Sequence, residues 1–410
     1  MPKKLGNYIL RDLYSMIVIG ESSIPLEIAG ISSVPYRDER MGHRRSKDAE
    51  AEPAKPGKHK QPAILQQLRE QIVLGKWQPG ERLPSRGEFE VETGVSRVTV
   101  QKIFDRLVRE GFIEVYGRRE TRVAKSPPHL SRYTLAFPSH PSNTDHWNRY
   151  WTTLLDVARG IQRPDGSPAV EIFFNVDGHA DVREYRDLFS AARHHLMAGM
   201  IFVGVTPRLR QAPLLHETRV PKVLISRMSM KIGGSAVSTV TTDAADFYDK
   251  AVGHLAAKGC RTIAILIPEA DSANSYVRVA LKKHDVECPP YWMHPILPDS
   301  RQTVSSLVHL LFRNPADRPD GLLLADNHFI DPATAGLMAA GVSVPHDLQV
   351  VVHENFPSAN ESLLPFTRVG FDARETITTC LRIIDQERKS GKPSETCFRV
   401  PARFASDLTG

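Results

Sequence analysis

The sequence predicts a chain of two folded parts: a small α+β module of three helices and a two-stranded hairpin, followed by a larger α/β part made of two doubly wound lobes. Three observations lead to this prediction. The 410 residues exceed what one compact core usually holds. Residues 62–125 show helical periodicity that ends in two short apolar strands. From residue 133 onward, short apolar runs alternate with amphipathic stretches, which is typical of parallel sheets covered by helices.

Composition and charge favour a globular protein with a polyanionic partner. The chain is 41% hydrophobic and 24% charged, and its net charge is +6. Basic residues concentrate in residues 41–62 and 109–125, as expected for binding to a polyanion. No apolar stretch approaches the roughly 20 residues of a membrane span. The short apolar stretch 14–20 lacks a cleavage pattern for a signal peptide. We therefore expect a cytoplasmic protein without membrane contact.

The cysteines give no sign of a disulfide framework or a zinc site. They are far apart in the sequence, and no C-x-x-C pair occurs. We expect reduced and mostly buried thiols at all four positions: Cys260, Cys288, Cys380 and Cys397.

The first 60 residues are expected to lie outside the folded core. They lack a sustained period, and residues 42–61 have the composition of a disordered basic arm. Met41 is a plausible start of translation, in which case residues 1–40 are a mis-annotated extension. The predicted domain boundaries are an extension at 1–60, the first module at 61–125, a stiff Pro-rich linker at 126–132 and the α/β part at 133–410.

The first module has clear signals for the start and end of each helix. Ser85 and Ser96 are good N-caps, while Gly75, Gly94 and Gly111 end the helices before them. The predicted helices span residues 63–74, 86–93 and 97–110, and the predicted strands span residues 112–116 and 121–124. This order of elements, with a basic hairpin between the strands, predicts a winged helix-turn-helix.

The third helix has the side chains that a DNA major groove requires. Arg97 suits a guanine, Gln101 an adenine and Val98 a thymine methyl group. Other side chains suit phosphates, which position a protein without specifying sequence. The remaining DNA-binding candidates are Arg86, Ser96, Thr99, Lys102, Arg118, Arg119 and Thr121. Three alternatives stay open: a helix-turn-helix that mediates only protein contacts, Arg118 and Arg119 as solvated charges, and Gln101 as a surface polar residue.

Residues 62–125 resemble the winged helix of the GntR family, and the resemblance implies a DNA-binding transcription regulator. Two positions depart from the family pattern. Arg86-Gly87 replace the usual Glu-Arg, and Glu120 replaces the usual glycine before Thr121. The resemblance is carried by Pro79-Gly80, Leu83-Pro84-Ser85, Gly94-Val95-Ser96-Arg97, Thr99-Val100 and Gly111-Phe112-Ile113.

The α/β part predicts a ligand site beyond the carboxyl ends of its strands, where doubly wound sheets bind ligands. The loops predicted there carry polar groups and two aromatic residues, Trp147 and Tyr276. This mixture suits a polyhydroxylated ligand, which polar groups hold and an aromatic ring stacks against. Trp147 as an ordinary core or surface aromatic residue is the alternative. Asp243 is expected to be a structural residue at a strand end.

Residues 133–410 resemble the periplasmic-binding-protein-like sensor of the LacI/GalR family, most clearly in the second half. The carrying motifs include residues 220–227, 259–264 and 341–348. The resemblance implies a sugar-type effector, and a GntR-type module before such a sensor resembles the arrangement of arabinose-responsive repressors. The family's effector residues correspond here to Arg227, Arg278, Asp326, Asn327, His353 and Glu354, and Arg227, His353 and Glu354 are expected just beyond the ends of strands. For Arg227 and Glu354, a salt bridge between lobes is the alternative.

Together, the two resemblances imply a homodimeric regulator, expected to be a repressor, that binds double-stranded operator DNA and responds to a small-molecule effector, with a sugar as the expected effector. The sequence lacks the motifs of a serine hydrolase, a phosphate loop or a zinc protease, so we expect no enzyme activity, cofactor or metal. The alternatives are an enzyme-fused regulator and a solute-binding protein. The identity of the effector, the operator sequence and the choice between repressor and activator do not follow from the sequence.

Overall fold

A computed structural model describes residues 60–408, apart from 118–119, 144–146, 227–229, 233–234, 270–274, 298–299, 358–361 and 395–396. The predictions for the extension and its basic arm fall on residues 1–59, outside the described residues. Within the described part, no helix is long and apolar enough to cross a membrane.

The N-terminal module has the predicted order of elements. Its helix-turn-helix is set by two serine caps and two left-handed glycines, Gly94 and Gly111, which end the helices before them. Ser85 forms a capping box with Glu88. The elements are α1 (Lys60–Val73), α2 (Arg86–Thr93), α3 (Arg97–Glu110), β1 (Ile113–Tyr116) and β2 (Glu120–Val123).

The core of the N-terminal module lies between α1, α3 and the antiparallel pair β1–β2. Ile103 and Leu107 of α3 are fully buried and pack against Leu68 and Ile72 of α1 in one apolar cluster. Beside this cluster, Arg69 of α1 and Glu110 of α3 form a buried ion pair. The packing leaves the first turn of α3 exposed, which is what a groove-reading helix requires.

The segment after the module is packed rather than extended. Pro127, Pro128 and His129 are buried, and α4 (Pro128–Ser131) forms a short helix there. The Ser131 hydroxyl donates to the carbonyls of Ser126 and Pro127 and closes the turn. The segment 126–132, predicted to be a stiff linker, therefore contains a short packed helix, which begins at the two prolines.

The chain then builds most of a first lobe, lobe 1, by strand–helix alternation. Its elements in this pass are β3 (Tyr133–Ala136), α5 (Arg149–Gly160), β4 (Val170–Phe173), α6 (Arg183–Arg193), β5 (Gly199–Val203), α7 (Pro207–Gln211), α8 (Pro213–His216), β6 (Lys222–Ile225), β7 (Met230–Ile232), β8 (Ser235–Val237) and β9 (Thr239–Thr242).

A second lobe, lobe 2, follows the same plan. Its elements are α9 (Ala244–Ala257), β10 (Ile263–Pro268), α10 (Ser275–Lys283), β11 (Met293–Ile296), α11 (Arg301–Phe312), β12 (Gly321–Leu324), α12 (Ile330–Ala339), β13 (Gln349–Phe356) and β14 (Thr367–Asp372).

The chain crosses between the lobes three times. After β14 it returns to lobe 1 as α13 (Ala373–Ser390) and β15 (Cys397–Val400), and β16 (Arg403–Phe404) then rejoins lobe 2. The lobe 1 sheet has the order β15-β9-β6-β5-β3-β4 and is parallel throughout. The lobe 2 sheet has the order β11-β10-β12-β13-β14-β16, in which only β16 runs antiparallel. Helices cover both faces of both sheets, so the predicted fold class is confirmed.

Candidate nucleic-acid interface and ligand cleft

The N-terminal turn of α3 presents its side chains outward. Ser96 caps the helix: its Oγ accepts from the backbone N–H of Thr99 at 3.4 Å and lies 3.0 Å from the Thr99 hydroxyl. Arg97 is exposed, and Val98 keeps 65% of its surface despite being apolar. An exposed valine beside an exposed arginine, on a turn fixed by a cap, suits contact with base edges.

The next turn of α3 differs between its two candidate residues. The Gln101 side chain donates to Asp105 Oδ1 at 2.6 Å, so a base contact requires the amide to leave this partner or to use its free carbonyl oxygen. Lys102 is exposed and has no hydrogen bond or ion pair among the described residues. Lys102 is therefore available to a phosphate.

Three further candidates from the sequence lie in other surroundings. Arg86 is half-buried with its guanidinium 5.6 Å from the Phe104 ring centre, and its Nε is buried without a partner within the described chain. Thr121 is only 7% exposed, because it lies on the inner face of the hairpin, and its burial speaks against a DNA contact. Arg118 and Arg119 fall outside the described residues.

In lobe 1, an aromatic cluster lies at the carboxyl ends of β3 and β4. The Trp147 ring centre is 4.8 Å from Phe137 and 5.5 Å from Trp151, and Phe174 completes the cluster. The Trp147 indole N–H donates to the Thr152 hydroxyl at 2.8 Å. Trp147 is thus a half-buried member of this aromatic cluster.

In lobe 2, polar residues follow β12. Asp326 accepts from both the backbone N–H and Nδ1 of His328, at 2.8 and 2.7 Å. Burial raises the pKa of Asp326, but the hydrogen bond and charge of His328 outweigh it, so that its pKa lies below its usual value. Asn327 is 3% exposed, and its amide reaches Glu354 Oε1 at 3.4 Å. Asp326 and His328 therefore form the accessible pair, with Asn327 beneath them.

The expectation that His353 and Glu354 follow the strand end is wrong, because β13 continues to Phe356. Both residues pair with β14, where Gly370 lies opposite Glu354. A Cβ at Gly370 would lie 1.7 Å from the Glu354 carbonyl oxygen, so only glycine permits this approach. Glu354 is fully buried, and the His353 ring lies 5.1 Å from Phe247. Glu354 is placed to position Asn327 and the backbone of Asn355, from which its carboxylate accepts at 3.1 Å.

The other expected effector residues are dispersed. Tyr276 and Arg278 lie on the first turns of α10 rather than in the preceding loop, and both are exposed. A hydrogen bond with Tyr276, together with the charge of Asp243, raises the pKa of Arg399 in β15. Asp243 itself caps α9, as expected for a structural residue. Arg227 lies outside the described residues.

Arg149, which sequence reasoning missed, joins the two lobes. It opens α5 in lobe 1, and its Nη1 donates to the Asn327 carbonyl oxygen of lobe 2 at 3.3 Å. Its Nη2 lies 3.7 Å from Asp331 Oδ2. Its position two residues after Trp147 was the only signal in the sequence. This contact places the aromatic cluster of lobe 1 and the polar residues after β12 on the two sides of the boundary between the lobes, the candidate ligand cleft.

Two cysteine predictions are confirmed and two are not. Cys260 and Cys380 are buried, Cys288 is half-buried and Cys397 is exposed, and all four are free thiols. Burial raises the pKa of Cys260 to about 11, which makes it a poor nucleophile at neutral pH. No group of three or more His, Cys, Asp or Glu side chains placed to hold a metal occurs among the described residues.

In comparison with known families, one segment in each part of the chain matches a family model. Residues 60–123 match the model of the gntR family of bacterial regulatory proteins, and residues 252–404 match a periplasmic binding protein-like domain. A regulatory protein of the LacI family from Chloroflexus aggregans has a similar fold, with a TM-score of 0.50 and 15% identity over 67% of this chain and 97% of that one.

Similarity to curated proteins lies in the N-terminal module. The chain is 40% identical over 62 residues to the HTH-type transcriptional repressor NagR of Bacillus subtilis, which is 15% of this chain and 26% of that protein. It is 41% identical over 51 residues to the mannosyl-D-glycerate transport/metabolism system repressor MngR of Escherichia coli, 12% of this chain and 21% of that one. The match thus spans about a quarter or less of these relatives. The predicted gntR-type helix-turn-helix is therefore confirmed over residues 60–123, and residues 252–404 belong to a periplasmic binding protein-like domain whose fold is similar to that of a LacI-family regulator.

Proposed function

We propose that this protein is a transcription regulator, a repressor, whose N-terminal module binds operator DNA and whose two lobes sense a small polar effector. The observation that carries the proposal is the exposed first turn of α3, with Arg97 and Val98 on a capped helix of a gntR-type module. The two relatives named above are themselves repressors by name, and they match this module. No enzyme activity is proposed.

We further propose that the effector is a sugar or sugar derivative and binds in the cleft crossed by Arg149. Aromatic rings on one side and Asp326 with His328 on the other suit a ligand with hydroxyls and an apolar ring face. The fold, which is shared with a LacI-family regulator, supports this choice. A homodimer is proposed because two modules related by a two-fold axis would read a palindromic site.

The DNA-binding proposal is tested by comparing two substitutions on α3. Operator fragments are first selected from a random duplex library with the full chain. Arg97→Ala should lose about 1–3 kcal/mol on the selected site and little on random duplex, because a bidentate base contact is sequence-specific. Lys102→Ala should weaken both duplexes alike and lower the salt slope. Equal losses of Arg97→Ala on both duplexes would contradict its role in reading bases.

The effector proposal is tested by a thermal-shift screen of the full chain against pentoses, hexoses and their derivatives. A bound ligand raises the melting temperature by mass action. Any hit is repeated on Asp326→Asn, which should weaken binding because a ligand hydroxyl loses its charged acceptor and meets an uncharged amide instead. The matched control is Asp317→Asn, which lies in a loop on the surface of lobe 2 and hydrogen-bonds only locally, with Asn314. A hit that responds equally to both substitutions lies elsewhere.

A further inference from the structure

The N-terminal module and lobe 1 share a packed interface, which we call the module–lobe interface: α1 and α3 on one side, α4, α6 and residues 194–196 on the other. Leu196 of lobe 1 packs against the apolar core of the module. The His129 ring stacks on Phe112 with centres 5.9 Å apart. The last turn of α3 also meets lobe 1, where a Cβ on Gly111 would lie 2.9 Å from Arg132. A ligand bound at this interface would therefore touch both parts at once.

Two cavities, each of about 400 Å³, open side by side at this interface. His194 lines both of them. One lies between α1 and α6 and includes Arg186 and Arg193. The other lies between α1 and α3 and includes Lys102 and Arg109. Each has the volume of a site for a small molecule.

The charge in these cavities is strongly positive and poorly compensated. Lys102, Arg186 and Arg193 have no carboxylate within 4 Å among the described residues, and Arg109 reaches only the backbone carbonyl of Asp105. Two carboxylates, Glu70 and Asp105, also line the cavities and keep their charge, because their side-chain partners are neutral amides, but the cations of the lining outnumber them. Glu70 accepts from the Gln66 amide and Asp105 from that of Gln101.

The other arginines of the interface show the contrast. Arg69 and Arg106 share the single carboxylate of Glu110, and Arg219 binds Glu217, so each of these arginines has an ion-pair partner within the chain. The cations without an ion pair line two adjoining cavities, those of lobe 1 in one cavity and those of the N-terminal module in the other. Like charges gathered in a partly enclosed space repel one another, and an anion relieves that repulsion.

We propose that the module–lobe interface binds a phosphorylated small molecule as a second effector, separate from the ligand of the cleft. Guanidinium groups fit phosphate oxygens with two parallel hydrogen bonds, and a phosphate with two negative charges matches two or more unpaired cations. Because such a ligand joins α6 to α1 and α3, it holds the module in one orientation on lobe 1. Binding at the interface is thus coupled to DNA binding by the same free energy in both directions.

The experiment uses the full chain and pyrophosphate as the probe, titrated calorimetrically at constant ionic strength. The test variant is Arg186→Gln/Arg193→Gln, in which both exposed side chains leave the cavity without disturbing an ion pair. The matched control is Arg183→Gln/Arg210→Gln, which removes the same charge from lobe 1 outside the cavities. We expect pyrophosphate to bind the wild type and the control alike, and the test variant at least tenfold more weakly.

A second arm separates a free phosphorylated ligand from the phosphates of DNA, which share the same chemistry. Pyrophosphate is titrated again with the chain saturated by a 20-base-pair duplex. Persistence of binding to the duplex complex supports the proposal. Equal affinity of the test and control variants overturns it. Complete displacement of pyrophosphate by the duplex, with a smaller salt slope of DNA binding in the test variant, also overturns it, since the cations would then bind the DNA backbone.

Discussion

At the scale of single residues, Glu110 holds the N-terminal module together through charge as well as packing. It is 7% exposed and accepts from Arg69 at 2.8 and 2.6 Å, and from Arg106. Arg69 is itself 3% exposed, so almost no water could solvate its charge if the Glu110 carboxylate were removed. Such a pair is costly to break from one side because the remaining charge stays buried.

We predict that Glu110→Gln destabilises the module by about 3–5 kcal/mol. The measurement is urea unfolding, with hydrogen exchange of α1 and α3 to locate the loss. The control is Asp187→Asn, which removes an exposed pair with Arg183 on α6 and should change stability by no more than about 0.5 kcal/mol. If both substitutions had the same small effect, Glu110 would be dispensable to the module.

Gly370 of β14 is the second residue whose identity the fold requires. The backbone of β13 at Glu354 approaches it too closely for a side chain. We predict that Gly370→Ala costs on the order of 3 kcal/mol or more, because the Glu354 carbonyl must move and the strand pairing with it. Gly160→Ala, at the end of α5 with no atom within 4 Å of its new Cβ, should be neutral or stabilising by up to about 1 kcal/mol. Thermal unfolding of both variants decides; similar melting temperatures would contradict the close approach.

The sequence located some site residues well and others poorly, for physical reasons. The first turn of α3 was predictable because caps and periodicity are local signals, as Ser96 and Gly111 illustrate. Glu354 was misplaced because the length of β13 depends on its pairing with β14, a contact 16 residues away in register. Arg149 was missed because a contact between lobes leaves no periodic trace in the chain.

At the scale of elements, α4 shows how a segment that is extended by composition becomes structural. Its His129 is 8% exposed and stacks on Phe112, so the imidazole has little water around it. Burial, together with the charges of Arg388 and His195, lowers the pKa of His129 to about 4. The neutral ring is therefore part of the packed module–lobe interface.

We predict that His129 makes the protein less stable as the pH falls from about 6.5 to about 4. The unfolded chain takes up a proton near the ordinary pKa of 6.5, while the folded chain resists it down to about 4, so protons favour unfolding in this window. The full effect is on the order of 3 kcal/mol. His129→Phe keeps an aromatic stack and should flatten the dependence measured by urea unfolding at pH 7, 6 and 5.

Burial also lowers the pKa of His194 and of His195 at the same interface. Both residues therefore also contribute to the pH dependence of stability in the wild type. The comparison of wild type with His129→Phe isolates the share of His129. An unchanged slope in the variant would show that the folded chain accommodates the charged ring.

At the scale of the whole molecule, the three crossings between lobes allow hinge motion, and Arg149 opposes it on the cleft side. The crossings follow β9, β14 and β15; β9 and β15 pair in the lobe 1 sheet, and Arg399 of β15 meets Tyr276 of lobe 2. A sensor of this kind responds to a ligand only by the difference in affinity between its open and closed forms. Because Arg149 contacts Asn327 and Asp331 across the lobe boundary, we infer that it favours the closed form before any ligand binds.

We predict that Arg149→Ala opens the cleft of the ligand-free chain. The substitution removes one hydrogen bond at 3.3 Å and one partly exposed ion pair at 3.7 Å, together worth about 1–2 kcal/mol, which shifts the open-to-closed ratio by roughly five- to thirtyfold. Small-angle X-ray scattering should show a larger radius of gyration, and hydrogen exchange should rise around residues 327–331.

Arg159→Ala, on the exposed end of the same helix, is the control and should match the wild type. DNA binding through Arg97 should persist in both variants, because α3 packs in a core separate from that of lobe 1. A scattering profile and exchange pattern identical to the wild type would mean that the hinge, and not Arg149, sets the closure of the lobes.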